Sequence, residues 1–181
     1  EIMPSLVGSE MCIRDRFKFW YKFIPKAVSV IEMGQGELYY NKVVKPTIHS
    51  YMGQVFEDMC NYYTLKQGIT GSFDCFITTV GSWWGTETVI TDNGEKVVQS
   101  ADIDVVALSE LEKKAVIGEC KFKNEKVDKV IYDTLLRRIK VIPAKYKVVK
   151  LILFSLSGFT DWFDTLSDEK LELIALKDIY H

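Results

Sequence analysis

Histidine is almost missing from this chain: His49 and His181 are the two in 181 residues. So few histidines argue against a histidine-based triad or a histidine-rich metal site, and His49 reads as a surface or capping residue. Cysteine is scarce too, with four residues and no CxxC pair. That spacing forms neither a zinc ribbon nor a disulfide frame and predicts reduced core thiols of a cytoplasmic protein. Proline occurs four times, and no low-complexity linker or internal repeat divides the chain. No apolar run approaches the ~18 residues that cross a bilayer. The longest, Val148 to Phe154, reads as a buried strand, so no membrane partner is expected. Charge of one sign is also lacking, with 23 basic against 25 acidic residues, so any nucleic-acid signal must be local. What remains is 48% apolar and 27% charged residues, the composition of one globular domain with a sizeable core.

The segment Leu6 to Arg16, LVGSEMCIRDR, resembles the translation of a transposon-end sequencing adapter. Residues 1–16 are accordingly expected to be non-native and to make few contacts. Such scars are set aside before fold reasoning. The native part is expected to start near Phe17, inside a longer reading frame, with Cys60, Cys75 and Cys120 as its cysteines.

Phe17 to Phe23, FKFWYKF, reads as a short aromatic helix that packs on this domain or on a neighbour. Apolar residues at 48, 51, 52, 55, 56, 59 and 63 follow a helical period, with Pro46 and Thr47 as its start. Phe73 to Val80 is strand-like, and Asp92-Asn93-Gly94 is a turn between Thr86–Thr91 and Lys96–Gln99. Ile103–Leu108 and Ala115–Phe122 read as a central hairpin folded about Leu111 and Glu112. Val127, Val130, Ile131, Thr134, Leu135, Arg138 and Ile139 mark one face of a second helix. A strand over Val148–Leu156, a short helix over Asp161–Leu166 capped by Thr160, and a strand over Leu171–Leu176 complete a mixed α/β order with helices on both faces of the sheet.

Period-two alternation puts Asp102 and Asp104 on one side of their strand, and Glu119, Lys121 and Lys123 on one side of theirs. Folding about Leu111 and Glu112 brings Asp104 opposite Glu119, about 5 Å apart at Cβ. Two acids and a lysine on a Val/Ile-rich hairpin are expensive to bury unless paired or metal-bound. The helix offers a third acid, since Gly53, Glu57, Cys60 and Asn61 form one small or polar stripe. Asp58 rivals Glu57, and periodicity does not choose between them. A metal-dependent phosphodiesterase site and an ordinary ion-pair cluster both satisfy this pattern.

The set Glu57, Asp104, Glu119-x-Lys121 resembles the PD-(D/E)XK nuclease superfamily, and IDVVAL followed by GECKFKN is similar to archaeal Holliday-junction resolvases and restriction-type endonucleases. FKFWYKF, Val30–Gly36, YMGQVFEDMC, the WWG at Trp83–Gly85, DIDVVAL, GECKFKN and LFSLSGFT resemble, in that order, domain of unknown function 234. The resemblance implies a restriction-endonuclease-like mixed sheet flanked by helices over residues 47–181, preceded by a helical lead-in over 17–46. It also implies the C-terminal part of an archaeal or bacterial AAA-type ATPase that carries a winged helix. The family's G-x-x-F-E pattern favours Glu57 over Asp58. Two departures are the long hairpin from Thr86 to Ser100 and Asp102 in place of glutamate.

What the resemblance implies for the chemistry is Mg²⁺ (or Mn²⁺) held by Asp104, Glu119 and the Cys120 carbonyl, with Glu57 completing the shell. Lys121 would then orient water or stabilise developing charge. The partner would be DNA, branched or structured forms included. Lys113–Lys150 carries twelve basic and four acidic residues, while Leu151–His181 carries two and six. Lys123, Lys126 and Lys129 are the candidate phosphate contacts within the basic stretch. A solvated lysine face satisfies the same counts.

Overall fold

The structure, a computed structural model, describes residues 16–91 and 93–179. Apart from Arg16, the adapter-like segment lies outside the described residues, as do Asp92 of the expected turn and His181. The described chain forms two compact units, residues 16–55 and 56–179.

The first unit is helical: α1 over residues 16–23, α2 over Val28–Glu32, and α3 over Gly36–Tyr39. A wide π-turn at Tyr40–Val44 then leads without a break into α4, Lys45–Ile69. Pro46 was the expected helix start, yet the helix runs through it. Proline offers no N–H to the carbonyl four residues back and crowds it, and a π-turn immediately upstream absorbs that mismatch. The Thr47 hydroxyl donates to the Val43 and Val44 carbonyls at 2.9 and 3.1 Å. The aromatic heptad divides in two. Phe19 and Phe23 stack at 4.9 Å, Phe23 meets the Tyr51 ring at 5.6 Å, and Tyr39 donates to the Phe23 carbonyl at 2.8 Å. Phe17, Trp20 and Tyr21 stay exposed.

The second unit is a five-stranded mixed sheet in the order β1-β2-β3-β4-β5: Thr79–Ile90, Lys96–Ser109, Lys114–Lys121, Lys147–Ser155 and Leu171–Ala175. β1, β2 and β3 are antiparallel neighbours, and β3, β4 and β5 are parallel ones. The parallel step needs a crossover, supplied by α5, Lys129–Arg138. Asp128 caps α5 by accepting from the Val130 N–H at 3.1 Å. Val116, Ile152 and Phe154 pack with Phe56 and Cys60 from the second unit's part of α4. Ala115, Ile117, Leu151 and Leu153 pack with Tyr132 and Leu135 of α5. Alternate residues of β3 and β4 thus serve two cores, so both strands read as continuous apolar runs. Gly118 is required in this layer because a Cβ there would come within 3.0 Å of the Ile152 carbonyl.

Several expectations need correction. The strand expected over Phe73–Val80 begins only at Thr79. Phe73, Cys75 and Ile77 are buried with the alternation of a strand, but Asp74 adopts φ 54°, which breaks extended backbone. The runs expected as separate strands on either side of Gln99 form one β2, and Gly94, at φ 80°, helps close the β1–β2 turn. Val130 is exposed and leaves the inner face of α5. Thr160 does not cap the turn at Asp161–Thr165, since its buried hydroxyl has no partner. Cys60, Cys75 and Cys120 are buried free thiols. Among the described residues, no helix is long and apolar enough to cross a membrane.

Candidate functional site

The β2–β3 ladder ends with Val105 opposite Gly118, which puts Asp104 opposite Glu119 one step further on. The turn at Leu111 and Glu112 therefore sets the expected register. The β1–β2 ladder slips here as well: from Gly81 to Trp83 on β1, the partner moves from Val106 to Ile103. Ile103 joins the core on the α5 side, whereas Val105 and Ala107 join the α4 side. The alternation expected to hold Asp102 and Asp104 on one side is therefore interrupted at Asp104. Such a bulge re-aims a side chain, and Asp104 Oδ2 accepts the Cys120 N–H at 2.7 Å.

Burial and the facing Glu119 carboxylate push the Asp104 carboxyl up to about 6. On α4, Asn61 Nδ2 donates to the Glu57 carbonyl at 2.9 Å and to the Asp104 carbonyl at 3.4 Å, tying the helix to the bulge. Asn61 Oδ1 is buried without a partner. The Glu57 carboxyl is raised by burial, then by Asp58 and Asp102, with Lys121 opposing and Glu119 adding. Asp104, Glu119 and Lys121 are brought to one end of β2 and β3, and Glu57, exposed on α4, stands within electrostatic reach of them.

Glu119 is 6% exposed at its side chain and is held at both oxygens, by Lys121 Nζ at 2.6 Å and by Arg138 Nη1 at 3.0 Å. Burial alone would lower the Lys121 ammonium, but the Glu119 charge and hydrogen bond outweigh it, so its titration is raised and it remains protonated. Arg138 also reaches Asp102 at 3.3 Å, and its Nε is buried without a partner. Its helical position puts Arg138 on the apolar face of α5, and no local pattern there signals a role beyond that of a charge at an inward position. The neighbouring Arg137 gives no local signal either. It grips Glu87 through Nε at 2.9 Å and Nη2 at 3.0 Å, and Gln99 donates to the same carboxylate at 3.0 Å.

Among the described residues, no three His, Cys, Asp or Glu side chains form a metal-binding group. Magnesium needs fewer, since it keeps several waters and takes one or two carboxylates from the protein. Asp104 and Glu119, a facing pair of hard oxygen donors, fit that requirement. Lys121, Lys123 and Lys126 line a cleft of about 230 Å³ beside the site. Lys129 does not line it but pairs with Asp133 and lies 5.7 Å above the Trp162 ring.

Residues 20–132 match DUF234, described as "Archaea bacterial proteins of unknown function". The chain belongs to this family. The matched span contains Glu57, Asp104, Glu119 and Lys121 and ends before Arg137 and Arg138. A relative is an uncharacterized protein of Methanocaldococcus jannaschii, 27% identical over 133 residues. The alignment covers 72% of this chain and 27% of that protein, so the chain spans about a quarter of its relative's length. No solved structure matches the chain at a significant level.

Proposed function

We propose that this DUF234 chain is a Mg²⁺-dependent DNA endonuclease domain of the PD-(D/E)XK type, which hydrolyses phosphodiesters as part of a longer ATPase with a winged helix. The observation that carries the reading is the Asp104–Glu119 pair: two facing, largely buried carboxylates, one raised to about 6, with Lys121 alongside. Buried like charges of this kind favour a bound cation. Asp104 and Glu119, with the Cys120 carbonyl, would hold the ion, and Glu57 would complete its surroundings through water. When bound, Mg²⁺ supplies Lewis-acid stabilisation of phosphoryl charge and a more acidic water.

Lys121 stays protonated, so its role is to donate to the attacking water or to the charge that develops on phosphate, not to accept a proton. Lys123 and Lys126, at the cleft, would take neighbouring phosphates of the strand. Binding that depends on them should weaken with added salt.

One observation favours a second reading, a nuclease-fold docking module without catalysis: both Glu119 oxygens are already paired with cations. Cleavage separates the two. Linear and branched DNA should be nicked by the wild-type chain in Mg²⁺, with the upstream ATPase region present. Lys121→Ala should abolish nicking while Mg²⁺ binding persists. Intact DNA with the wild type, despite measurable binding, would leave the docking module.

A further inference from the structure

The reading above leaves Arg138 without a task, although its side chain is only 12% exposed and sits against the candidate ligand Glu119. A carboxylate as buried as Glu119 requires a positive partner at all times. Lys121 supplies one, leaning on Oε1, and Arg138 supplies the other at Oε2. Arg138 is poorly satisfied in this position, because its Nε lies buried with nothing to accept its proton. A guanidinium that had been selected only to brace the fold would be expected to use its full fork of donors.

A second station is within reach. Asp102, 66% exposed at its side chain, already accepts from Nη2 at 3.3 Å. The next residue, Arg137, anchors the end of α5 to Glu87 by two bonds, so a change of partner at Arg138 need not move the helix.

Resting on the nuclease reading, we propose that Arg138 is a built-in counter-ion for Glu119, occupying the charge position of the divalent cation and yielding to it by withdrawing onto Asp102. Arg138 is in this sense a positioning residue: it holds the Glu119 carboxylate in place while no metal is bound. It also sets the cation concentration at which the site loads. No covalent or redox step is involved: the singly charged guanidinium moves from Glu119 to Asp102 as the doubly charged ion arrives at the Asp104–Glu119 pair.

The proposal makes a prediction opposite in sign to a bracing role. Removing a competing positive charge about 3 Å from the carboxylate should strengthen cation binding, whereas removing a brace should weaken it. Mg²⁺ alone is titrated calorimetrically into the full chain as wild type, Arg138→Gln, Arg138→Lys and Asp104→Asn. Arg138→Gln should bind with a Kd about tenfold lower or better, and Arg138→Lys, which retains the charge, should stay near wild type. Binding by Arg138→Gln where the wild type shows none also supports the exchange.

Asp104-dependent binding by the wild type with unchanged or weaker binding by Arg138→Gln overturns the exchange and leaves the nuclease reading intact. Absence of binding in every variant overturns both. The wild type alone gives a second measurement that does not depend on a variant folding. The Arg138 Nε–H resonance should shift as Mg²⁺ is added, and a resonance that ignores saturating Mg²⁺ contradicts the exchange.

Discussion

Adjacent arginines at the end of α5 serve two buried glutamates in very different ways. Glu87 is fully answered: Arg137 grips it twice, Gln99 adds a third bond, and its carboxyl is lowered, chiefly by the Arg137 hydrogen bonds. Glu119 is just as buried, but its surroundings are in conflict. Asp104 faces it and is raised to about 6, and two of the three buried side-chain atoms without partners among the described residues, Asn61 Oδ1 and Arg138 Nε, belong to side chains bonded to Asp104 and to Glu119. A satisfied polar network fixes structure, while a partly satisfied one in the same fold marks a place kept for something else.

The largest expected effect breaks the unsatisfied side. The Asp104 carboxyl is raised above its ordinary 3.8, so the folded state holds that proton more tightly than the unfolded chain. Its contribution to stability is therefore present at pH 4 and is lost as pH rises through about 6. The loss is at most about 3 kcal/mol by linkage. Asp104→Asn should abolish it, leaving the variant as stable as wild type or more so at pH 7. Denaturant midpoints at pH 4 and pH 7 check this. Glu57, raised in the same direction, acts in both proteins and cancels in the comparison.

On the satisfied side, Arg137→Ala leaves Glu87 buried with the Gln99 hydrogen bond and the more distant Arg138 charge. The expected destabilisation is about 2 kcal/mol, below the range for a wholly buried pair because the Arg137 side chain is 39% exposed. Urea unfolding measures it, and Mg²⁺ binding should not change. The smallest effect sharpens the comparison further. Gln99→Ala removes one exposed donor from an already answered carboxylate and should lower stability by about 0.5 kcal/mol, again by urea midpoint.

Sequence alone reaches the middle of this molecule more easily than its site. The Asp104–Glu119 register follows from a polar turn of fixed length, and β4 from an apolar run with no competing period. The bulge at Asp104 is invisible because it arises from the pairing of β1 with β2, two strands whose slip no local pattern records. Glu87 lies in a polar hairpin that looks solvated, and only the partner on α5, fifty residues away, explains its burial. Arg138 is hidden for a related reason: its helical position shows that it faces inward, but the pair of acids awaiting it comes from two other strands. At Pro46 the local rule for helix starts loses to continuous helical packing on either side, with the π-turn absorbing the mismatch.

The central proposal is that the Asp104–Glu119 end of the sheet takes a cation and the Glu87 end does not. Thermal melting at pH 7 with and without Mg²⁺ tests it, using wild type, Asp104→Asn and Arg137→Ala. At about a hundredfold excess over Kd, mass action should raise the wild-type Tm by about 5 °C or more. The increment should persist in Arg137→Ala from its lower starting point and vanish in Asp104→Asn. A wild-type Tm indifferent to Mg²⁺, or an increment that survives in Asp104→Asn, would contradict the proposal.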